Sequence, residues 1–153
     1  MTEQKKEERY ERLYNQIFSL VENVHNPFSR MATIIAVLHH KMETYYWTGF
    51  YFLDKGELLV SSYQGPLACL RLKKDTGVCW AGINRKETVI VPDVEAFEGH
   101  IACSSASKSE IVVPIRNSNN EVIGVLDVDS TELNSFSEID AKYLEKIVEL
   151  IYQ

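Results

Sequence analysis

The chain has 153 residues, 45% of them hydrophobic and 25% charged, a composition that supports a packed core and excludes wholesale disorder. Its formal charge of −6 argues against nucleic acid or an anionic membrane surface as the main partner. No apolar run approaches a membrane span, and the opening "MTEQKKEERYERLY" lacks the apolar centre of a secretory leader, so a cytoplasmic location is expected, with one domain over residues 1–153.

Tyr10, Leu13, Tyr14, Ile17, Val21 and Val24 recur at helical spacing among Glu, Lys and Arg, and predict an N-terminal helix. Asn26 can cap a second helix with Pro27 in its first position, and Phe28, Met31, Ile35, Leu38 and Met42 line one face of it. In "WTGFYFLDKGELLVSSY" the pattern turns to strands, with Asp54-Lys55-Gly56 as the turn of a β-hairpin. Further strands are expected at Thr88–Val91, at Ile111–Ile115 and from Val122 in "VIGVLDVDS". The polar turn "RNSNN" (116–120) joins the last two. Ser137 and Asp140 form a capping box for a final helix, with Ile139, Leu144, Ile147, Val148 and Ile151 as its apolar stripe.

Helices at both ends of a run of strands predict an α+β domain. A central antiparallel sheet would carry the N- and C-terminal helices on one face and long active-site loops on the other. Residues 64–87 and 92–110 read as two long connections of little periodicity, and such connections often carry function.

All three cysteines fall on those connections: Cys69 in "YQGPLACLRL", Cys79 in "DTGVCWAG" and Cys103 in "GHIACSSAS". A reducing compartment argues against a structural disulfide framework. Three readings stay open. Free cysteines are commonly buried small hydrophobes; His100 and Cys103 could join Cys69 and Cys79 around zinc; or the thiols could be redox-active. The spacing disfavours zinc, because no CxxC pair exists. The redox reading needs an accessible thiolate and a second thiol within reach. Gly65 and Gly77 would allow the rearrangement, with His100 as a candidate thiolate stabiliser.

In "VLDVDS", Asp127 and Asp129 are two apart and so share one face of a strand. Asp is depleted in strands and two on one face repel; strand termination explains Asp129 better than Asp127. Glu110 stands where the Ser-rich loop meets the apolar run "IVVPI". If the three carboxylates converge, repulsion raises at least one pKa. Such a set could bind an ammonium group and keep one carboxyl protonated as a general acid. Trp47 and Tyr51, four apart, share a strand face, either as core or as the wall of a small apolar pocket.

The stretches "GPLAC" (65–69), "GVC" (77–79), "VPDVEAFEGHIACSSASKSEIVVPI" (91–115) and "GVLDVDS" (124–130) are accompanied by "YYWTGFYF" at 45–52. Together they resemble the free methionine-(R)-sulfoxide reductases, small proteins with a GAF fold. The resemblance covers nearly the whole chain, and the central motif and cysteine spacing are specific to this branch. Trp80 departs from the small residue expected after "GVC".

The resemblance implies Cys103 as the attacking cysteine, Cys69 as its resolving partner and Cys79 as an auxiliary thiol. It implies that Glu110, Asp127 and Asp129 hold the substrate while Trp47 and Tyr51 contact its methylsulfinyl end. The implied reaction is repair by an oxidoreductase: free methionine-(R)-sulfoxide becomes methionine, through a Cys103 sulfenic acid and a Cys103–Cys69 disulfide. An external dithiol such as thioredoxin would recycle that disulfide, with no bound cofactor and no metal. A buried acidic site built for an α-ammonium would refuse a peptide amide, which accounts for the free amino acid as substrate. Homodimerisation through the amphipathic end helices is compatible with this fold. The rival reading is a GAF sensory module that binds a small ligand without turning it over. Against it, 153 residues leave no room for an output domain.

Overall fold

In chain order the elements are α1 (Glu3–Val21), α2 (Pro27–Lys41), β1 (Trp47–Asp54), β2 (Glu57–Gln64), β3 (Arg71–Leu72), α3 (Gly77–Arg85), β4 (Val89–Val91), β5 (Ser109–Arg116), β6 (Val122–Ser130) and α4 (Glu138–Glu149). The computed structural model describes residues 1–100 and 105–153. The strands form one antiparallel sheet in the order β3-β2-β1-β6-β5-β4.

Local chemistry sets the hairpins and the helix ends. Lys55 and Gly56 take positive φ (52° and 82°), the geometry of a two-residue turn whose twist suits a hairpin, and they join β1 to β2. The Asn117 side chain accepts from the backbone N–H groups of Asn119 and Glu121, closing the turn between β5 and β6. Asn26 caps α2 by accepting from Ser29 N–H, with Pro27 in the first turn. Ser137 and Asp140 form the expected reciprocal box at the start of α4.

The pleat of the sheet then separates two faces. Phe50, Ile111, Val113, Ile115, Leu126 and Val128 point to one side. There they join Tyr10, Ile17, Ile34, Leu38, Leu144 and Ile147 of α1, α2 and α4 in the main core. Between these helices lies a buried polar knot. Tyr10 donates to Asp140 Oδ1 and accepts from Tyr45 (2.6 Å), while Lys6 Nζ reaches Asp140 Oδ2 at 2.8 Å. Asp140, 1% exposed, therefore keeps its charge compensated and its lone pairs occupied.

Two apolar positions fall outside the expected core. Val24 lies beyond the end of α1 and Phe28 in the first turn of α2, and both are exposed. A larger correction concerns the second face of the sheet, where only loops were expected: residues 64–87 contain β3 and the nine-residue α3. Val78, Cys79, Trp80 and Ile83 of α3 pack with Val112 and Val125 of the sheet in a second apolar cluster. Gly82 makes this approach possible, since a Cβ there would stand 2.7 Å from Val112 Cγ1. Trp80 is buried, and its indole N–H donates to Leu72 O at 3.2 Å.

Candidate active site

The antiparallel register carries the site. Trp47 pairs with Asp129, Gly49 with Asp127 and Tyr51 with Val125 across β1 and β6. Asp129 pairs with Glu110, and Asp127 with Val112, across β6 and β5. With a period of two, Trp47, Tyr51, Glu110, Asp127 and Asp129 all project from the second face of the sheet. They line a cavity of about 60 Å³, several times the ~10–15 Å³ that one water needs, which suits one end of a small molecule. The α3 helix and the segment 66–68 close it from the other sides.

Its apolar wall is a stack of three rings. Trp47 lies against Tyr51 (centroids 5.8 Å apart, 25° between planes) and against Tyr63 of β2 (5.3 Å, 20°). Gly49 is what lets the indole lie flat on the sheet: a Cβ there would come within 2.4 Å of Trp47 Cη2 and of Tyr63 Cβ. Trp47 Nε1 donates to Pro66 O at 3.1 Å, and the Tyr51 hydroxyl donates to Cys69 O at 3.4 Å. The aromatic wall thereby anchors the loop that carries Cys69. Tyr63 was not among the expected site residues; its sequence signal is an aromatic near a glycine-containing strand.

The polar end holds the three carboxyl groups. Glu110 and Asp127 are buried and Asp129 is half-buried. Burial pushes the pKa of Glu110 well above the usual carboxylate range, and the charges of Asp127 and Asp129 push it further. Asp129 is raised well above its ordinary value by burial and then by Asp127. Burial also raises Asp127, and hydrogen bonding with Glu110 and Cys79 offsets part of that rise. Three close carboxyl groups resist ionising together in this setting, so the set holds protons to higher pH than isolated carboxyl groups do. Even so, among the described residues Asp127 Oδ1 is buried without a hydrogen-bond partner. An unpaired acceptor in a low-dielectric site is costly, and a cationic donor entering the cavity would relieve that cost.

Cys79 sits in α3 rather than on a loop, where it is buried and free. Burial raises its pKa well above the ordinary thiol value, with Asp127 adding to the rise, so it is a thiol and not a thiolate. Cys69, half-buried on the segment between β2 and β3, is disulfide-bonded. Cys103 lies outside the described residues, so the expected pairing and the zinc set that includes it lie outside them too. His100 lines the same cavity, with Nε2 3.7 Å from Glu110 Oε1. Burial lowers its pKa, which favours the neutral imidazole. Its described contact is thus with the carboxyl set, a placement that residue spacing alone did not suggest.

The GAF domain family model matches residues 11–153. A GAF domain-containing protein A of Dictyostelium discoideum is 50% identical over 147 residues, covering 95% of this chain and 92% of its own. The free methionine-R-sulfoxide reductase of Escherichia coli is 36% identical over 143 residues, covering 94% of this chain and 86% of its own. Among solved structures, the free methionine-R-sulfoxide reductase of Neisseria meningitidis in complex with its substrate superposes with a TM-score of 0.90. It is 41% identical, and the match covers 95% of this chain and 87% of that one.

Proposed function

Since the chain belongs to the GAF-domain family and, within it, to the free methionine-(R)-sulfoxide reductases, we propose that the cavity binds that free amino acid through Glu110, Asp127 and Asp129 and reduces it with Cys103. The chain is an oxidoreductase, and its reaction is the reduction of free methionine-(R)-sulfoxide to methionine. The Cys103 thiolate attacks the sulfoxide sulfur. The carboxyl set protonates the oxygen, which passes from the substrate sulfur to the Cys103 sulfur as the S–O bond and the transient sulfur–sulfur bond break. Methionine leaves with its sulfur reduced by two electrons, and Cys103, oxidised by two, becomes a sulfenic acid. The Cys69 thiol condenses with that sulfenic acid, releasing water and forming a disulfide. An external dithiol of the thioredoxin kind then exchanges with it, is itself oxidised to a disulfide, and restores both thiols. In this scheme Trp47 and Tyr51 wall the methylsulfinyl end, and neither a metal nor a resident cofactor takes part.

Support for these roles comes from the state of the other two cysteines. Cys69 is disulfide-bonded, whereas Cys79 is a buried thiol held against Asp127, poorly suited to act as first resolving group and better placed as an auxiliary one. Among the described residues no helix is long and apolar enough to cross a membrane, and the reaction's need for a reduced dithiol suits the cytoplasm. We read residues 1–153 as a single catalytic domain. Exposed Phe18, Leu20, Val24 and Phe28 around the junction of α1 and α2 support homodimerisation through that end, which light scattering would test.

The observation that carries the reading is Asp127, a residue lining the aromatic-walled cavity whose buried Oδ1 has no partner among the described residues. The ammonium of a free amino acid brings it both charge and a donor; a peptide amide brings no charge. Initial rates on free methionine-(R)-sulfoxide, its S epimer and the same residue inside a peptide test this. Turnover is expected for the free R form alone, and comparable rates on the peptide overturn the ammonium reading. In the same assay Cys103→Ser is expected to lose ~10³-fold or more in rate while still binding substrate.

A further inference from the structure

We propose that Cys79, Glu110 and Asp127 form a site for a thiophilic divalent cation of the zinc and cadmium class, which takes the space of the substrate's ammonium and so blocks the enzyme. One ligand atom from each residue lies within 4.8 Å of the other two, and all three residues are buried. An acidic cluster alone would say little. Here it includes a thiol, and Asp127, which lines the cavity beside Cys79 and Glu110, has its buried Oδ1 without a hydrogen-bond partner among the described residues. The three groups come from three elements, with Cys79 on α3, Glu110 on β5 and Asp127 on β6, all bordering the same cavity.

The donor set fits the ion class. A mixed sulfur–oxygen set favours borderline-soft zinc and softer cadmium over magnesium or calcium, which take oxygen ligands. With zinc–sulfur near 2.3 Å and zinc–oxygen near 2.0–2.2 Å, tetrahedral ligand atoms stand about 3.5 Å apart. The set must therefore close by roughly 1 Å around the ion, and the fourth position opens on the cavity, where water can fill it. On binding, the ion displaces the thiol proton of Cys79 and any proton held on the two carboxyl groups, which leave as solvent protons. A thiolate and two carboxylates carry three negative charges, which the ion largely neutralises. This set shares only Cys79 with the zinc set considered from the sequence, which was His100, Cys103, Cys69 and Cys79.

The statement that the ion excludes substrate rests on the proposed function; the metal site itself does not. Cadmium chloride titrated into the oxidised protein, in which Cys79 is a free thiol, reads the site through the near-ultraviolet thiolate-to-cadmium absorption band. The band is expected to saturate at one equivalent, to vanish in Cys79→Ser and to weaken in Asp127→Asn, with excess magnesium leaving it unchanged. Zinc is expected to raise the melting temperature of the wild type and not that of Cys79→Ser, whose own cooperative melt shows that it has folded. Free methionine at ~100 times its own Kd is expected to raise the apparent cadmium Kd about 100-fold. No band at one equivalent, or a band that survives Cys79→Ser, overturns the site. A band that bound methionine leaves unmoved overturns the shared space. A cysteine-dependent band in a protein that neither binds methionine nor reduces its sulfoxide leaves the metal site standing and overturns the proposed function instead.

Discussion

The two faces of β5 and β6 are made by the same strands and have opposite characters. Toward α1, α2 and α4 they present Ile111, Val113, Ile115, Leu126 and Val128, packed into a core where each of these is at most 1% exposed. Toward the cavity, one residue out of step, they present Glu110, Asp127 and Asp129 beside Val112 and Val125. The helical face gains stability by removing apolar area from water. The other face holds close carboxyl groups at raised pKa and leaves one oxygen unpartnered, so it spends part of that gain on a binding site. Because the side-chain period is two, adjacent residues in one strand can serve opposite ends.

Neighbouring substitutions are the sharpest way to break this comparison. Leu126→Ala is expected to destabilise the protein by about 2–5 kcal/mol in urea unfolding, through lost burial and a residual cavity, while the kinetics of the folded fraction stay unchanged. Asp127→Asn, one residue on, is expected to reverse the pattern. Losing a charged hydrogen bond to the substrate should cost about 1.5–3 kcal/mol of binding, read as a rise in KM of roughly 10- to 150-fold, with no loss of stability. If Asp127→Asn unfolds the protein as readily as Leu126→Ala, the division between the faces is wrong.

The smallest effect concerns pH. Folding raises the pKa of Glu110, Asp127 and Asp129, so the folded chain holds protons that the unfolded chain releases. Their contribution to stability is therefore largest in acid and declines as pH climbs from the ordinary carboxylate range through the raised values. Asp129→Asn removes one of the repelling groups. It is expected to flatten that decline in thermal melts across pH and to add about 0.5–2 kcal/mol at neutral pH. An unchanged pH dependence would mean that the carboxyl set does not titrate as a unit.

How much of this was legible in the sequence follows from how local each signal is. The Lys55-Gly56 turn, the Asn26-Pro27 start and the Ser137–Asp140 box are each specified within a few residues, and each forms as read. The shared face of Asp127 and Asp129 also follows from period two alone. The α3 helix was missed because it contains Gly77, Val78 and Gly82, poor helix formers, and is held by burial of Val78, Trp80 and Ile83 against the sheet. Tertiary packing overrode propensity there. That Asp127 Oδ1 lacks a partner, that His100 meets Glu110 and that Tyr63 stacks on Trp47 all depend on juxtapositions of separate elements, which no local pattern encodes.

The knot around Asp140 has a consequence for the order of events during synthesis. Tyr10 and Lys6 are made early, yet the carboxylate they bind lies 130 and 134 residues further along the chain. At ~5–20 residues per second, the first helix waits on the order of ten seconds for the last before its buried hydroxyl and ammonium find their acceptor. Until then Tyr10, Leu13 and Ile17 have only part of their final cover, so a nascent chain halted before α4 leaves the ribosome with an apolar stripe in need of a chaperone.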